Sequence, residues 1–143
     1  MQLDSNGALK NGVAGLLSFD IDGTMEMGDP PGPVKAKIVR RAREMGFLVG
    51  SCSDRPVRVQ EMLWSTRDLV MDFIVIKHQL LVVRARFEVE AYYHIGDLEL
   101  DQQFAREAGF TFVWPHEAIG EPWAMNGASV GALGNWKAPE GFS

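Results

Sequence analysis

Five short apolar runs recur along this chain, and segments with helical spacing separate them. The runs span residues 16–19, 47–52, 72–76, 91–95 and 110–114. The intervening patterns span 34–45, 57–66, 78–87 and 98–108, of which 78–87 would suit either a helix or a strand. Strands that alternate with helices form a parallel sheet covered on both faces. We therefore predict a single α/β domain over residues 1–143, with a Rossmann-like, five-stranded parallel sheet.

The two ends of the chain lack such a pattern. Residues 1–12 are polar and predict a loose lead-in to the first strand. Residues 119–143 contain five glycines and no periodicity, which predicts an irregular tail. We expect Trp123 and Trp136 to pack this tail onto the domain or onto a partner.

Composition excludes several classes of function. The net charge of -5 and the isoelectric point near 5.1 argue against a general surface for nucleic acid or anionic membranes. Cys52 is the single cysteine, so it forms no internal disulfide, and its apolar neighbours predict a reduced, buried thiol. No apolar stretch is long enough to cross a bilayer, and residues 1–11 do not resemble a secretory signal. A cytoplasmic protein is the resulting expectation.

Two carboxylates follow the first apolar run directly. Asp20 and Asp22 stand two residues apart, and the turn Gly23-Thr24 comes behind them. Because like charges packed closely at a sheet edge are costly, they require a cation or a shared proton. A lone Asp-x-Asp is more often a capped turn with solvated acids, but Asp-x-Asp-Gly-Thr behind a buried strand is far more specific. The pattern indicates a site that holds either a cation or a shared proton.

Polar residues also follow the later strands, and open α/β sheets bind ligands at these carboxyl ends. Ser53 lies in the turn after the second run, with Ser51 as the alternative hydroxyl. Lys77 ends the third run. Asp97 follows Gly96 after the fourth run, and Asp101 is one helical turn further on. Each of these features taken alone is usually structural.

The segment 19–24 resembles the first motif of the haloacid dehalogenase superfamily, which consists mostly of phosphatases and phosphotransferases with an aspartyl nucleophile. Ser53 and Lys77 resemble its second and third motifs. Gly96-Asp97, together with Asp101, resembles the fourth motif, which supplies acidic magnesium ligands. The order of the motifs agrees along most of the chain. The family's strand order would set the first and fourth strands side by side.

This resemblance implies a magnesium-dependent phosphohydrolase that acts on a phosphate monoester through an aspartyl-phosphate. Asp20 would be the nucleophile, and Asp22 would be the acid and base, with its pKa raised by Asp20 and by partial burial. Lys77 would offset the charge of the phosphoryl group, which Ser53 would orient. Asp20 and Asp97 would hold Mg²⁺, with the main-chain carbonyl of Asp22 as a further ligand.

Other residues receive lesser roles from the resemblance. Asp101 would act through a water molecule or cap the following helix, and Thr24 would fix the turn. An acid at position 22 points to phosphoryl chemistry, since family members that act on carbon-halogen bonds lack it. His78, His94 and His116 show no ligand spacing, and we interpret them as structural.

The chain departs from many such enzymes because it has no segment for a cap domain. Only the loop 25–32 separates the first strand from the first helix. Either a large phosphorylated substrate or a second subunit would then have to enclose the site. The apolar tail favours a homo-oligomer. We predict that its subunit contacts include Met25, Met27, Trp123 or Trp136.

Two other classes of function remain as alternatives. A phospho-acceptor signalling module is also a small doubly wound domain with acids, a lysine and magnesium. In such modules the acid pair is adjacent and the lysine follows the last strand, whereas Lys77 lies in the middle of this chain. The second alternative is a catalytically silent scaffold of the same fold that binds a partner.

Overall fold

Five parallel strands form the central sheet, as the apolar runs predict. The computed structural model describes residues 3–4, 7–8, 15–121 and 123. The strands of the sheet are β3 (Leu16–Phe19), β4 (Leu48–Ser53), β5 (Phe73–Ile76), β6 (Tyr92–Ile95) and β7 (Thr111–Val113). Within the predicted lead-in, β1 (Leu3–Asp4) pairs antiparallel with β2 (Gly7–Ala8).

Helices connect the strands of this sheet, and a short helix follows β7. They are α1 (Ala36–Glu44), α2 (Val57–Thr66), α3 (Leu80–Arg86), α4 (Glu99–Ala108) and α5 (Pro115–Ala118). The ambiguous segment 78–87 is helical: a 3₁₀ turn over Lys77–Gln79 leads directly into α3. The short helix α5 was not predicted, although its Pro115 occupies the first helical turn, where proline is favoured. No helix of the described residues is both long and apolar enough to span a bilayer.

The strand order is β5-β4-β3-β6-β7, and every neighbouring pair is parallel. The chain builds outward from β3 to β5, then crosses back to β6 on the other side of β3. This order confirms that the first and fourth predicted strands are neighbours, with Phe19 in register with Ile95. The reversal makes the carboxyl end of β3 a topological switch point, where open α/β sheets bind their ligands.

Side chains of successive strand residues point to opposite faces of the sheet. Helices pack against each face, so both faces are buried. One core cluster holds Leu17 and Phe19 of β3 together with apolar residues of α1, α2 and α5. The other holds Leu16 of the same strand with apolar residues of α3 and α4. Cys52 is fully buried in this second cluster, as expected for a reduced structural thiol. The predicted helices on both faces are therefore confirmed.

Trp123, near the start of the predicted tail, packs into the core of the domain. Its side chain is fully buried, and its ring packs edge-on against Phe19 and Phe47 at centroid distances of 6.0 and 6.5 Å. Met25 is also fully buried in the same core cluster. The prediction that Met25 and Trp123 form subunit contacts is therefore wrong, because neither side chain reaches the surface. Trp136 lies outside the described residues.

Replacing Trp123 by alanine should destabilise the fold strongly. Truncating a buried tryptophan removes apolar burial and leaves a cavity, which together cost about 3–5 kcal/mol. The midpoint of urea-induced unfolding measures this loss. Met62→Ala is the control, because Met62 is 62% exposed and its truncation should change stability by no more than about 0.5 kcal/mol. Equal stability of the Trp123→Ala variant and the wild type would contradict the packing described here.

Candidate active site

The carboxyl ends of β3, β5 and β6 bring the predicted acids and lysine together. Asp20 follows β3 directly, and its N–H donates to the carbonyl of Ile95 at the end of β6 (2.8 Å). Lys77 follows β5, and its Nζ lies 3.7 Å from Asp20 Oδ2. Both side chains are almost completely buried. The predicted pairing of Asp20 with Lys77 is therefore present.

An acidic cluster lies at this edge of the sheet. Asp20, Asp97 and Asp101 each offer one carboxylate oxygen, and these oxygens all lie within 4.8 Å of one another. Asp97 Oδ1 is buried and accepts no hydrogen bond from the described residues. A buried carboxylate oxygen without a donor is costly. It is therefore an oxygen that a bound cation would satisfy.

Glycines allow the carboxylates to approach the backbone of the two loops. Gly23 adopts a left-handed φ of +78°, and a Cβ at this position would lie 1.9 Å from Asp97 Oδ2. At Gly96, a Cβ would lie 2.4 Å from Asp101 Cγ. Any larger residue would displace one of these acids. The glycines of the Asp-x-Asp-Gly-Thr and Gly-Asp segments therefore shape the acidic cluster.

Asp20, Lys77 and Asp101 influence one another's pKa values. Burial, together with the negative charge of Asp101, raises the pKa of Asp20 to about 8, even though Lys77 acts in the opposite direction. Burial alone would lower the pKa of Lys77, but Asp20 and Asp101 outweigh it and raise that pKa. Lys77 is thus a buried ammonium, and it is the cation that neutralises part of the cluster.

Asp101 is bound by donors on both of its oxygens. Oδ1 lies 3.1 Å from His94 Nε2 and 3.2 Å from Lys77 Nζ. Oδ2 accepts from Lys77 (3.3 Å) and from the N–H of Leu98 (3.2 Å), which caps α4 as predicted. Burial would raise the pKa of Asp101, but its bonds to His94 and Lys77 more than compensate and lower it. Asp101 therefore has less free capacity for a metal than Asp97.

His94 has a structural role, as the sequence predicted, because its ring bonds to Asp101 of the cluster. It is fully buried on β6, where its Nδ1 lies 2.9 Å from Ser18 Oγ of the neighbouring strand. With Nε2–H donating to Asp101, Nδ1 accepts from the Ser18 hydroxyl. Both ring nitrogens of His94 therefore have a hydrogen-bond partner.

Asp22 does not join the acidic cluster. Its carboxylate accepts two hydrogen bonds from Arg55, at 2.6 Å from Nη2 and 3.2 Å from Nε, and a third from the N–H of Asp29 (2.8 Å). Partial burial raises the pKa of Asp22, but these hydrogen bonds and the charge of Arg55 outweigh it, so that the pKa is lowered. The expectation of a raised pKa is therefore wrong for this conformation, because it overlooked the arginine.

The two candidate serines differ in their surroundings. Ser51 Oγ is fully buried, donates to Gln60 Oε1 (2.6 Å) and accepts from Trp64 Nε1 (2.9 Å). Both contacts tie β4 to α2, so Ser51 has a structural role. Ser53 is the last residue of β4, and its Oγ accepts the N–H of Arg55 (3.1 Å). Its hydroxyl hydrogen has no acceptor among the described residues, which leaves it able to donate to a ligand.

The cluster fits one divalent cation of the oxygen-binding type. Three carboxylates and one ammonium leave two negative charges when all are ionised, which one Mg²⁺ would balance. Mg²⁺ prefers carboxylate oxygens and retains several waters. Asp97 Oδ1 has no donor among the described residues, and Asp20 lies beside Asp97, so these two carboxylates are suited to bind the cation. Asp101 is better suited to act through a water. The side chain of Asp22 is engaged elsewhere.

The sequence analysis missed some residues of this site or left them without a role: Arg55, His94 and Ser18. Arg55 follows Ser53 by two residues in the same turn, so its position at the carboxyl edge was a usable signal. For His94 and Ser18, a polar residue inside an otherwise apolar strand is the signal. It indicates a buried hydrogen bond, but it does not identify the partner.

The fold and the site define a Rossmann-like α/β domain with a buried lysine and an acidic cluster at the switch point of its sheet. Comparison of the chain with protein-family models, with curated proteins and with solved structures finds no match.

Mg²⁺ should raise the melting temperature of the protein. The cation would bind the folded cluster and not the unfolded chain, and any native-state ligand stabilises by mass action. A concentration of 100 times the dissociation constant adds about 2.7 kcal/mol. Asp97→Asn should abolish most of this shift, whereas Glu61→Gln, which removes one negative charge from an exposed position on α2, should retain it. A melting temperature that does not respond to Mg²⁺ would exclude the metal site.

Asp20→Asn should stabilise the metal-free protein at pH 8 and above. The folded-state pKa of Asp20 is raised to about 8 from 3.8, so its ionised form destabilises the fold at high pH. This penalty diminishes as the pH falls from 8 towards 4, because the folded protein takes up the proton first. The gain from Asp20→Asn in EDTA should diminish over the same range. A variant that is less stable than the wild type at pH 9 would contradict this assignment.

Proposed function

We propose that this protein is a magnesium-dependent phosphohydrolase that acts on a phosphate monoester through an aspartyl-phosphate, as a capless member of the haloacid dehalogenase superfamily. The observation that carries the proposal is the arrangement of Asp20, Lys77 and Asp97 at the switch point. A nucleophile, a cation and a free metal-binding oxygen converge there on one small volume. Phosphoryl transfer needs these groups, because its catalysis is mainly positioning and charge stabilisation.

Asp20 is the nucleophile in this proposal. One of its carboxylate oxygens attacks phosphorus, the bond from phosphorus to the ester oxygen breaks, and the aspartyl-phosphate forms. Lys77 Nζ is 3.7 Å from Asp20 Oδ2 and offsets the negative charge that accumulates on the phosphoryl oxygens. When bound, Mg²⁺ would supply further charge neutralisation to the same oxygens.

Asp22 is the proton carrier of the two half-reactions. For this role Asp22 must first leave Arg55 and take up a proton from solvent. It then gives this proton to the departing ester oxygen and takes one from the water that attacks the aspartyl-phosphate. Water enters, and an alcohol and inorganic phosphate leave, so that Asp20 and Asp22 are restored. The Ser53 hydroxyl, which has no acceptor among the described residues, is suited to donate to a phosphoryl oxygen.

A phospho-acceptor module is the second candidate, and the Arg55–Asp22 ion pair favours it. With both carboxylate oxygens bonded to Arg55, Asp22 cannot activate water. Asp20 would then accept a phosphoryl group but lose it slowly. The two candidates differ in the lifetime of the aspartyl-phosphate.

Substitution at positions 20 and 22 tests the chemical assignment. Asp20→Asn should abolish the release of phosphate from a generic aryl phosphate with Mg²⁺, because amide nitrogen and oxygen are poor nucleophiles. Asp22→Asn should slow release by about 10²–10⁴-fold, as expected for a lost acid-base group. Glu61→Gln, at an exposed position on α2, is the control for the loss of one negative charge. A wild-type rate in Asp20→Asn would refute the proposal.

Acetyl phosphate distinguishes the two candidates. The wild-type protein should form an acid-stable, hydroxylamine-sensitive adduct at Asp20 that mass spectrometry detects. Rapid loss of this adduct, with a slower loss in Asp22→Asn, supports the phosphohydrolase. An adduct with the same long lifetime in both proteins supports the phospho-acceptor module.

A further inference from the structure

The ion pair between Arg55 and Asp22 joins the two loops that flank the candidate nucleophile. Asp22 follows β3 and Arg55 follows β4, and these strands are neighbours in the sheet. The pair is partly exposed, with 26% of the Arg55 side chain and 35% of the Asp22 side chain accessible. Asp20, in contrast, is only 3% exposed. The pair therefore lies nearer to solvent than the nucleophile does.

The Arg55–Asp22 ion pair lies close to Asp20 along the chain. Asp20 and Asp22 are two residues apart, so their Cα atoms are separated by at most about 7 Å. Lys77 is already positioned to neutralise a phosphoryl group at Asp20. The bonds to Asp22 therefore hold the guanidinium of Arg55 beside the segment that carries the candidate nucleophile.

The backbone of Arg55 is anchored independently of its side chain. Its N–H donates to Ser53 Oγ (3.1 Å), and its carbonyl accepts from Gln60 Nε2 (2.8 Å). Gln60 is fully buried and also bonds to Ser51 and to the carbonyl of Val75. The guanidinium can therefore exchange partners without any rearrangement of the turn that carries it.

Arginine binds carboxylates and phosphates by the same two parallel hydrogen bonds. An anionic group on a ligand can consequently replace Asp22 at Arg55 with no loss of hydrogen bonds to the guanidinium. A neutral ligand cannot make this exchange. Departure of Arg55 would leave Asp22 with the single bond from the N–H of Asp29 and free to meet the ester oxygen.

We infer that the Arg55–Asp22 ion pair is a substrate-selective gate, which opens for phosphate monoesters whose leaving group carries a second anionic group. The inference rests on the proposed function and adds a substrate class to it. The second anion, a carboxylate or another phosphate, binds Arg55. The released Asp22 then becomes available to the reacting ester.

Matched pairs of esters test the gate. Phosphate esters of glycolate, 3-hydroxypropanoate and 4-hydroxybutanoate carry a terminal carboxylate at three distances. Ethyl, propyl and butyl phosphate are their uncharged partners. With Mg²⁺ present, at least one carboxylated ester should exceed its alkyl partner in kcat/KM by about tenfold or more, the size expected for a charge-assisted hydrogen bond.

Arg55→Gln should reduce this preference to near unity, and Arg55→Lys should restore part of it. Differences in the intrinsic reactivity of the esters cancel when the ratio is compared between proteins. Arg58→Gln is the matched control, because it removes the same charge from an exposed position on the following helix. This control should keep the wild-type preference. Melting temperatures confirm that the variants are folded.

The outcomes separate the gate from the underlying chemistry. If Arg55 serves only to hold the turn, Arg55→Gln lowers the rates with both members of a pair equally, and the gate is refuted. Hydrolysis of both members by the wild type without preference also refutes it, while the phosphohydrolase stands. No hydrolysis of any ester, together with no adduct from acetyl phosphate, refutes the proposed function and the gate with it.

Discussion

The buried ammonium of Lys77 is the interaction on which the candidate site depends. Its Nζ lies within 3.2–3.8 Å of carboxylate oxygens from Asp101, Asp20 and Asp54, which belong to three different segments. Without this cation, Asp20 and Asp101 would be two buried like charges with no charged partner from β5. Removing one partner of a buried ion pair is strongly destabilising, because the other charge is left uncompensated. Lys77 therefore joins the segment after β5 to the acidic cluster at the end of β3.

The strand order explains why these groups meet. Because β6 returns to the far side of β3, the acid that follows β6 lies beside the acid that follows β3. Gly23 and Gly96 then remove the side chains that would keep Asp97 and Asp101 away from the loops. His94 bonds to Asp101 on one side and to Ser18 on the other, which fixes this acid from within the sheet. The result is a cluster that is well held on one side and has an unsatisfied oxygen of Asp97 on the other.

Much of the fold could be predicted from the chain because period and turn chemistry are local properties. Leu16–Phe19 was identified with its observed bounds, and the other four strands were predicted within one residue at each end. The segment 78–87 stayed ambiguous because its run of Leu81-Val82-Val83 suits either element when taken alone. Packing decides it: Leu80 and Val83 are buried on one side of a helix, while Leu81 and Val82 are exposed. Tertiary burial, and not local propensity, selects the helix there.

For the site, the sequence by itself determined the residue types and their positions at strand ends, since an acid after an apolar run must emerge at the carboxyl edge of a parallel sheet. The resemblance of these segments to a known set of motifs implied that Asp20 lies beside Lys77 and Asp97, as the structure has them. Only the tertiary structure decided which carboxylate pairs with which cation. Asp22 bonds to Arg55, 33 residues away, and Asp101 bonds to Lys77, 24 residues away. Such pairs depend on loop conformation over a few ångströms, and the spacing of residues along the chain carries no information at that scale.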